Sequence, residues 1–148
     1  MMLVKTYLAP SQIQGLGVFA GEHIPCGSQI WVLNPKFDIF VHVNELAGLP
    51  AHMHDFVARY SYPHLEIGDV RIVDCDDGKF MNHSDQPNTD FRVFDQGFAL
   101  ADIAVGEEIT CNYYEFDPGF RGFGQAGLEV PIAALRAAGV LAAARTRA

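Results

Sequence analysis

The stretch Asn82-His83-Ser84-Asp85-Gln86-Pro87-Asn88, followed about twenty residues later by Gly106-Glu107-Glu108-Ile109-Thr110-Cys111-Asn112-Tyr113-Tyr114, decides how this chain is read. Pro87 fixes its own φ and pushes Gln86 toward extended conformations, so residues 85–88 form a defined turn. Asn82 brings two donors and an acceptor, and His83 a ring with one donor and one acceptor when neutral. With a tyrosine pair close by, these residues can build a shaped polar pocket without a metal or a strong base. Such equipment suits chemistry done by positioning. Taken alone, Asn-His-Ser is a capped turn and a single histidine a satisfied core residue.

Working outward, Gln14-Gly15-Leu16-Gly17-Val18-Phe19-Ala20 places two glycines one residue apart near the start. Glycines so spaced let the backbone approach a ligand closely and offer it peptide groups. By itself the segment reads equally as a loop between two strands.

The wider chain bounds these readings. At 148 residues it suits one domain with a real core, and 49% hydrophobic with 19% charged residues argues for a folded protein. No apolar run reaches the ~18 residues that span a bilayer, and Met1 to Pro10 lacks the basic-then-apolar form of a signal peptide, so neither a membrane nor secretion is expected. Cys26, Cys75 and Cys111 have no paired spacing, which fits a reducing cytoplasm and supplies no zinc framework.

The net charge of −8 is unevenly spread. Residues 66–117 hold thirteen of the eighteen acids against only Arg71, Lys79 and Arg92, a local charge of −10. Phosphate binding requires clustered Lys and Arg, so nucleic acid is not an expected partner. A basic peptide matches this segment better, beside the plainer reading of an acidic surface that keeps the protein soluble.

Short β-type runs recur at Leu3 to Leu8, Gln29 to Leu33, Val70 to Val73, Phe91 to Phe94, Phe98 to Leu100 and Glu108 to Cys111, punctuated by Gly, Pro, Asn and Asp. One helix is expected between about Asn44 and Tyr60, its start delayed to Pro50. A second is expected within residues 130–145, where Pro131 suits a first helical position and alanines follow. The domain is therefore mainly β, in several small sheets, with a short central helix and a C-terminal helix.

Three motifs in this order and spacing resemble those of SET-domain protein-lysine methyltransferases: Gly15-Leu16-Gly17-Val18-Phe19-Ala20, then Phe80-Met81-Asn82-His83-Ser84 with Pro87-Asn88, then Gly106-Glu107-Glu108-Ile109-Thr110 leading to Tyr113. His23-Ile24-Pro25 with Gly27, and Ala101-Asp102-Ile103, agree as linking phrases, so the resemblance runs from about Lys5 to Phe116. It implies a β-clip SET fold over residues 1–117, with a threaded C-terminal segment, and an extension over 118–148 that completes or flanks the cofactor site. It also implies methyl transfer from S-adenosylmethionine to a lysine of a basic protein or peptide. A module of the same shape that binds a basic segment without catalysis is the alternative.

The resemblance assigns residues as well. Gln14, Gly15, Leu16 and Gly17 would touch the cofactor through main-chain atoms, with Asn82 and His83 as the second wall and Tyr113 as the active-site tyrosine. With an unperturbed pKa of ~10, Tyr113 is a poor general base at neutral pH and aligns the amine more than it abstracts a proton. Tyr60, Tyr114 and Phe116 would line the lysine channel, where Tyr60 serves equally as core packing. Phe120 and Phe123, on the segment after Tyr113, would pack near the adenine. The helix of 131–145 would support them by folding back or by joining a second copy in a homodimer.

The chain departs from the family pattern at several points. Asp85 stands where many members have cysteine, and no cysteine-rich segment follows Tyr113, so the zinc-bound element after the domain is missing and the chain is similar to compact microbial and viral members. Asn112 replaces a common Asp, and a tyrosine-glycine motif is not recognisable in Ile30 to Asp38. Asp74-Cys75-Asp76-Asp77-Gly78 lacks the alternating spacing and terminal Glu of a calcium loop, and reads as a turn or as a contact for a basic substrate. His52 and His54, one residue apart, diverge on a helix, so no metal site is expected.

Overall fold

The computed structural model describes residues 1–121. Among these residues, ten short strands make three small sheets. The first sheet holds β1 (Thr6–Pro10), β2 (Leu16–Ala20), β7 (Asn82–His83) and β10 (Glu108–Cys111) in the order β1-β2-β10-β7. The second contains β3 (Gln29–Val32), β9 (Gln96–Ala99) and β8 (Thr89–Asp90), and the third β4 (Ile39–His42), β6 (Val70–Val73) and β5 (Ser61–Pro63), each in that order. Pro10, which cannot donate to a ladder, lies on the edge strand β1 where that loss costs least.

The mainly β expectation holds, and the runs at 70–73 and 108–111 are strands with the expected limits. One run is corrected: Phe91 to Phe94 is a loop between β8 and β9. The Phe91 amide donates to the Glu115 carboxylate at 2.8 Å, and its ring packs on Trp31 and Phe116 at 5.5 and 5.7 Å between centroids. Burying one ring between two others outweighs the β propensity of a short run. Leu16 and Gly17, readable as loop, are strand residues paired with Pro10 and Ala9. The expected central helix is α1, Ala51–Tyr60, which begins one residue after Pro50 with that proline as its N-cap, following a 3-10 turn at Val43–Gly48. The helix expected within 130–145, most of the 118–148 extension and Phe123 lie outside the described residues.

The core sits where the first two sheets meet. Val18, Ala20, Ile24, Ile30, Ile103 and Ile109 are at most 1% exposed, and Trp31, Met81, Ala99 and Cys111 complete the cluster. Strand β10 organises it. On one side it pairs antiparallel with β2 (Glu108 with Phe19, Ile109 with Val18), and on the other parallel with β7 (Thr110 with Asn82, Cys111 with His83). That register places all three motif segments side by side.

Candidate active site

Asn82 is 6% exposed and its side-chain amide donates to the Gln14 carbonyl at 3.1 Å, the Leu16 carbonyl at 3.1 Å and Glu108 Oε1 at 2.9 Å. One buried side chain thus ties the first motif to the last. The other Glu108 oxygen accepts from Ser11 Oγ at 2.9 Å. A Cβ at Gly17 would run into the Glu108 carboxylate, so a side chain there would displace Glu108 from its bonds to Asn82 and Ser11. Its partner Gly15 has φ +53° in the turn closed by the Ser11 N–H to Gly15 carbonyl bond of 2.9 Å, and open space lies where a side chain would stand. Of the two glycines, Gly15 leaves room for a ligand and Gly17 makes room for Glu108.

His83 Nδ1 accepts the Tyr113 backbone N–H at 3.1 Å, which places the ring proton on Nε2, facing Asp85 Oδ1 at 3.2 Å. The ring packs on Tyr113, Tyr114 and Phe120 at 5.3, 5.5 and 4.9 Å. His83 therefore fixes the segment that carries Tyr113. Asn88 does the same from the turn: its Oδ1 accepts the Thr110 N–H at 2.9 Å and its Nδ2 donates to the Glu108 carbonyl at 2.8 Å, extending the ladder of β10 with a side chain. Asn112 caps the 3-10 turn Tyr113–Glu115 by accepting from the Tyr114 N–H at 3.1 Å, a role in which its oxygen replaces a carboxylate without loss.

Tyr113 donates its hydroxyl proton to the Met81 carbonyl at 2.7 Å. Burial holds the phenol above its ordinary pKa, so it stays protonated at neutral pH. With its proton directed to Met81, any further hydrogen bond at that oxygen is one it accepts.

A cleft of about 790 Å³ opens beside this hydroxyl, within the size range of small-molecule sites. Gln14, Gly15, Leu16, Asn82, Tyr113 and Phe120 line it, as do Tyr60 and Phe116. Three assigned residues do not: Gly17 is turned to Glu108, His83 stands behind Tyr113, and Tyr114 is 54% exposed. Tyr114 instead packs outside on His83 and Phe120, the latter at 5.0 Å. Phe120 is 8% exposed and meets Tyr113 at 5.1 Å, closing one side. Tyr60 lies against Phe56 and Phe80 at 5.0 and 5.3 Å.

Sequence reasoning missed Tyr62. It lines the same cleft, edge-on to Trp31 at 6.3 Å and to Phe116 at 5.6 Å, and its hydroxyl donates to Asp74 Oδ1 at 3.0 Å. Trp31 Nε1 donates to Asp74 Oδ2 at 3.1 Å. Only the β5–β6 register brings these together: Tyr62 pairs with Ile72, and Asp74 lies two residues further along the same face. The alternation of tyrosines at 60 and 62 was the available signal, and it does not say which one meets the acid.

A model of the SET domain matches residues 15–114, which is most of the chain and contains all three motifs. Among solved structures, the chain is similar to a Plasmodium falciparum protein described provisionally as a histone methyltransferase (24% identity, TM-score 0.52, 76% of this chain and 95% of that one). It is also similar to Polycomb Repressive Complex 2 of Chaetomium thermophilum in an apo form carrying two substitutions in Ezh2 (25% identity, TM-score 0.58, 78% of this chain). The same complex in an autoinhibited conformation bound to S-adenosylmethionine aligns at 21% identity with a TM-score of 0.56 over 78% of this chain. In both cases the match spans only 16% of the larger chain. No curated protein matches. The matched span, the motif segments converging on β10 and the shared architecture lead to one conclusion: this chain belongs to the SET-domain family.

Proposed function

We propose that this protein transfers a methyl group from S-adenosylmethionine to the side-chain amine of a protein lysine. The observation that carries the reading is the Tyr113 hydroxyl, partly buried, protonated and aimed by the Met81 carbonyl beside a cleft with aromatic walls. The open space at Gly15, next to cleft-lining Gln14, Leu16 and Asn82, fits the cofactor's passage along this wall. Those residues would hold S-adenosylmethionine, with Phe120 covering it and His83 keeping Tyr113 in place. When bound, S-adenosylmethionine supplies a methyl already activated by its sulfonium.

The chain's own task is to orient an amine and exclude water. Tyr113 Oη accepts from the amine and aligns it. Tyr60, Tyr62 and Phe116 sheathe the aliphatic stem, and the aromatic faces tolerate its cationic head. The lysine proton, from an ordinary pKa of ~10.4, leaves to water as the site desolvates. Phe120, beyond Asp117, closes the cofactor side.

The test is release of S-adenosylhomocysteine by the purified chain over a panel of lysine-containing peptides, a histone tail among them, followed by mass spectrometry of the modified residue. Tyr113→Phe keeps the ring and removes the aligning oxygen, so turnover is expected to fall on the order of 10²-fold with the fold retained. Near-normal turnover in that variant removes Tyr113 from the site. Tight peptide binding without any release identifies a non-catalytic binding module instead.

A further inference from the structure

Asp74 is 5% exposed yet lines the cleft, and no ion pair among the described residues includes it. Its carboxylate is held by two neutral donors, the Tyr62 hydroxyl at 3.0 Å and the Trp31 indole at 3.1 Å. Both donors sit in the aromatic wall that includes Phe116, next to Tyr113. A carboxylate placed this way costs desolvation that two neutral hydrogen bonds do not fully offset. The remaining cleft carboxylates, Asp55, Asp95 and Asp117, are more exposed, so water screens them.

We propose that Asp74, acting through Tyr62, anchors the substrate's lysine as an ammonium before methyl transfer. Tyr62 is the contacting residue and Asp74 the positioning one. Because the Tyr62 proton is directed to Asp74, its oxygen presents only lone pairs to the cleft and can receive an N–H. The carboxylate behind it polarises that oxygen and adds a charge–charge attraction in a poorly screened setting. An ammonium is favoured over an uncharged chain of the same length. The same attraction opposes loss of the proton, so Asp74 strengthens binding and does not speed the chemical step.

This rests on the lysine methyltransferase reading, and the experiment separates the two. A peptide that supports S-adenosylhomocysteine release is compared with its norleucine counterpart, alike in length and lacking the charge, for binding to the full chain by calorimetry. The wild type is expected to prefer lysine. In Asp74→Asn the preference is expected to drop on the order of tenfold while norleucine affinity holds, and KM for lysine peptide to rise by a similar factor with kcat unchanged or higher. Tyr62→Phe, which keeps the packing, is expected to lose preference in the same direction and gives a reading should Asp74→Asn fold poorly. An unchanged preference in either folded variant overturns the inference while leaving the function standing. So does an Asp74→Asn variant that weakens S-adenosylmethionine relative to neutral S-adenosylhomocysteine but keeps its preference for lysine, since the charge then serves the sulfonium. Absence of release on every peptide overturns the function itself, and the inference with it.

Discussion

Tyr113 and Asp74 show how burial sets the charge state of single residues. Burial raises the Tyr113 phenol and keeps it an acceptor with its proton occupied. It also pushes the Asp74 carboxyl up to about 6, with Asp38 and Asp76 acting in the same direction and the Met1 amine and the Tyr62 hydrogen bond acting against it. The stability consequence has a definite sign. Since the folded-state pKa exceeds the unfolded value of ~3.9, Asp74 contributes stability below that value and loses it as pH rises through about 6. Asp74→Asn has no such titration, and its poorer accepting of two donors is a constant cost at every pH. Urea unfolding between pH 4 and 7.5 is therefore expected to show the variant gaining on the wild type as pH rises, mostly before pH 7. A gap that stays constant across the range would mean the carboxyl titrates normally.

Among elements, β10 and its latches decide the site. The motif residues mostly hold one another: Asn82 spans to β2 and its turn, Asn88 to β10, His83 to the Tyr113 segment. Asn82→Ala removes the amide that bonds two carbonyls and Glu108 Oε1, at a cost of about 1–3 kcal/mol. A fall in the thermal midpoint together with weaker S-adenosylmethionine binding is the expected pair of outcomes, read by calorimetry on the same preparation. Weaker binding at an unchanged midpoint would instead make Asn82 a cofactor contact and no latch. The motif order was legible in the sequence because its Gly, Asn, Pro and Glu residues each have few local substitutes. The partners of those residues were not legible, since Asn82 reaches its acceptors across 66 and 68 positions.

For the molecule as a whole, the acids of residues 66–117 are not gathered in the cleft. Only Asp74, Asp95 and Asp117 of that segment line it, joined by Asp55 and set against Arg59, Lys79 and Arg121. Under the proposed function, long-range attraction of a basic peptide would therefore come mainly from exposed charges, which salt screens over ~8–10 Å near physiological strength. Raising salt from 0.05 to 0.5 M, both roughly chosen around that regime, is expected to weaken peptide affinity several-fold and to spare most of the lysine-over-norleucine preference, because Asp74 is buried. Parallel loss of both in a salt titration would show that the preference, too, belongs to the surface.

The sequence by itself determined the β-rich class, the helix starting after Pro50 and the motif order, and through them offered Tyr113 as the candidate for the proposed aligning role. These follow from local rules: proline and glycine geometry, short apolar runs and the few side chains suited to a positioning site. Tertiary structure alone decided that Phe91–Phe94 is a loop, that Gly17 serves Glu108, that Tyr114 stands outside the cleft and that Tyr62 meets Asp74. Each depends on strand register or on packing between distant segments, and a one-residue shift in register would turn every side chain of a strand to the opposite face. Local propensity carries no information about that choice.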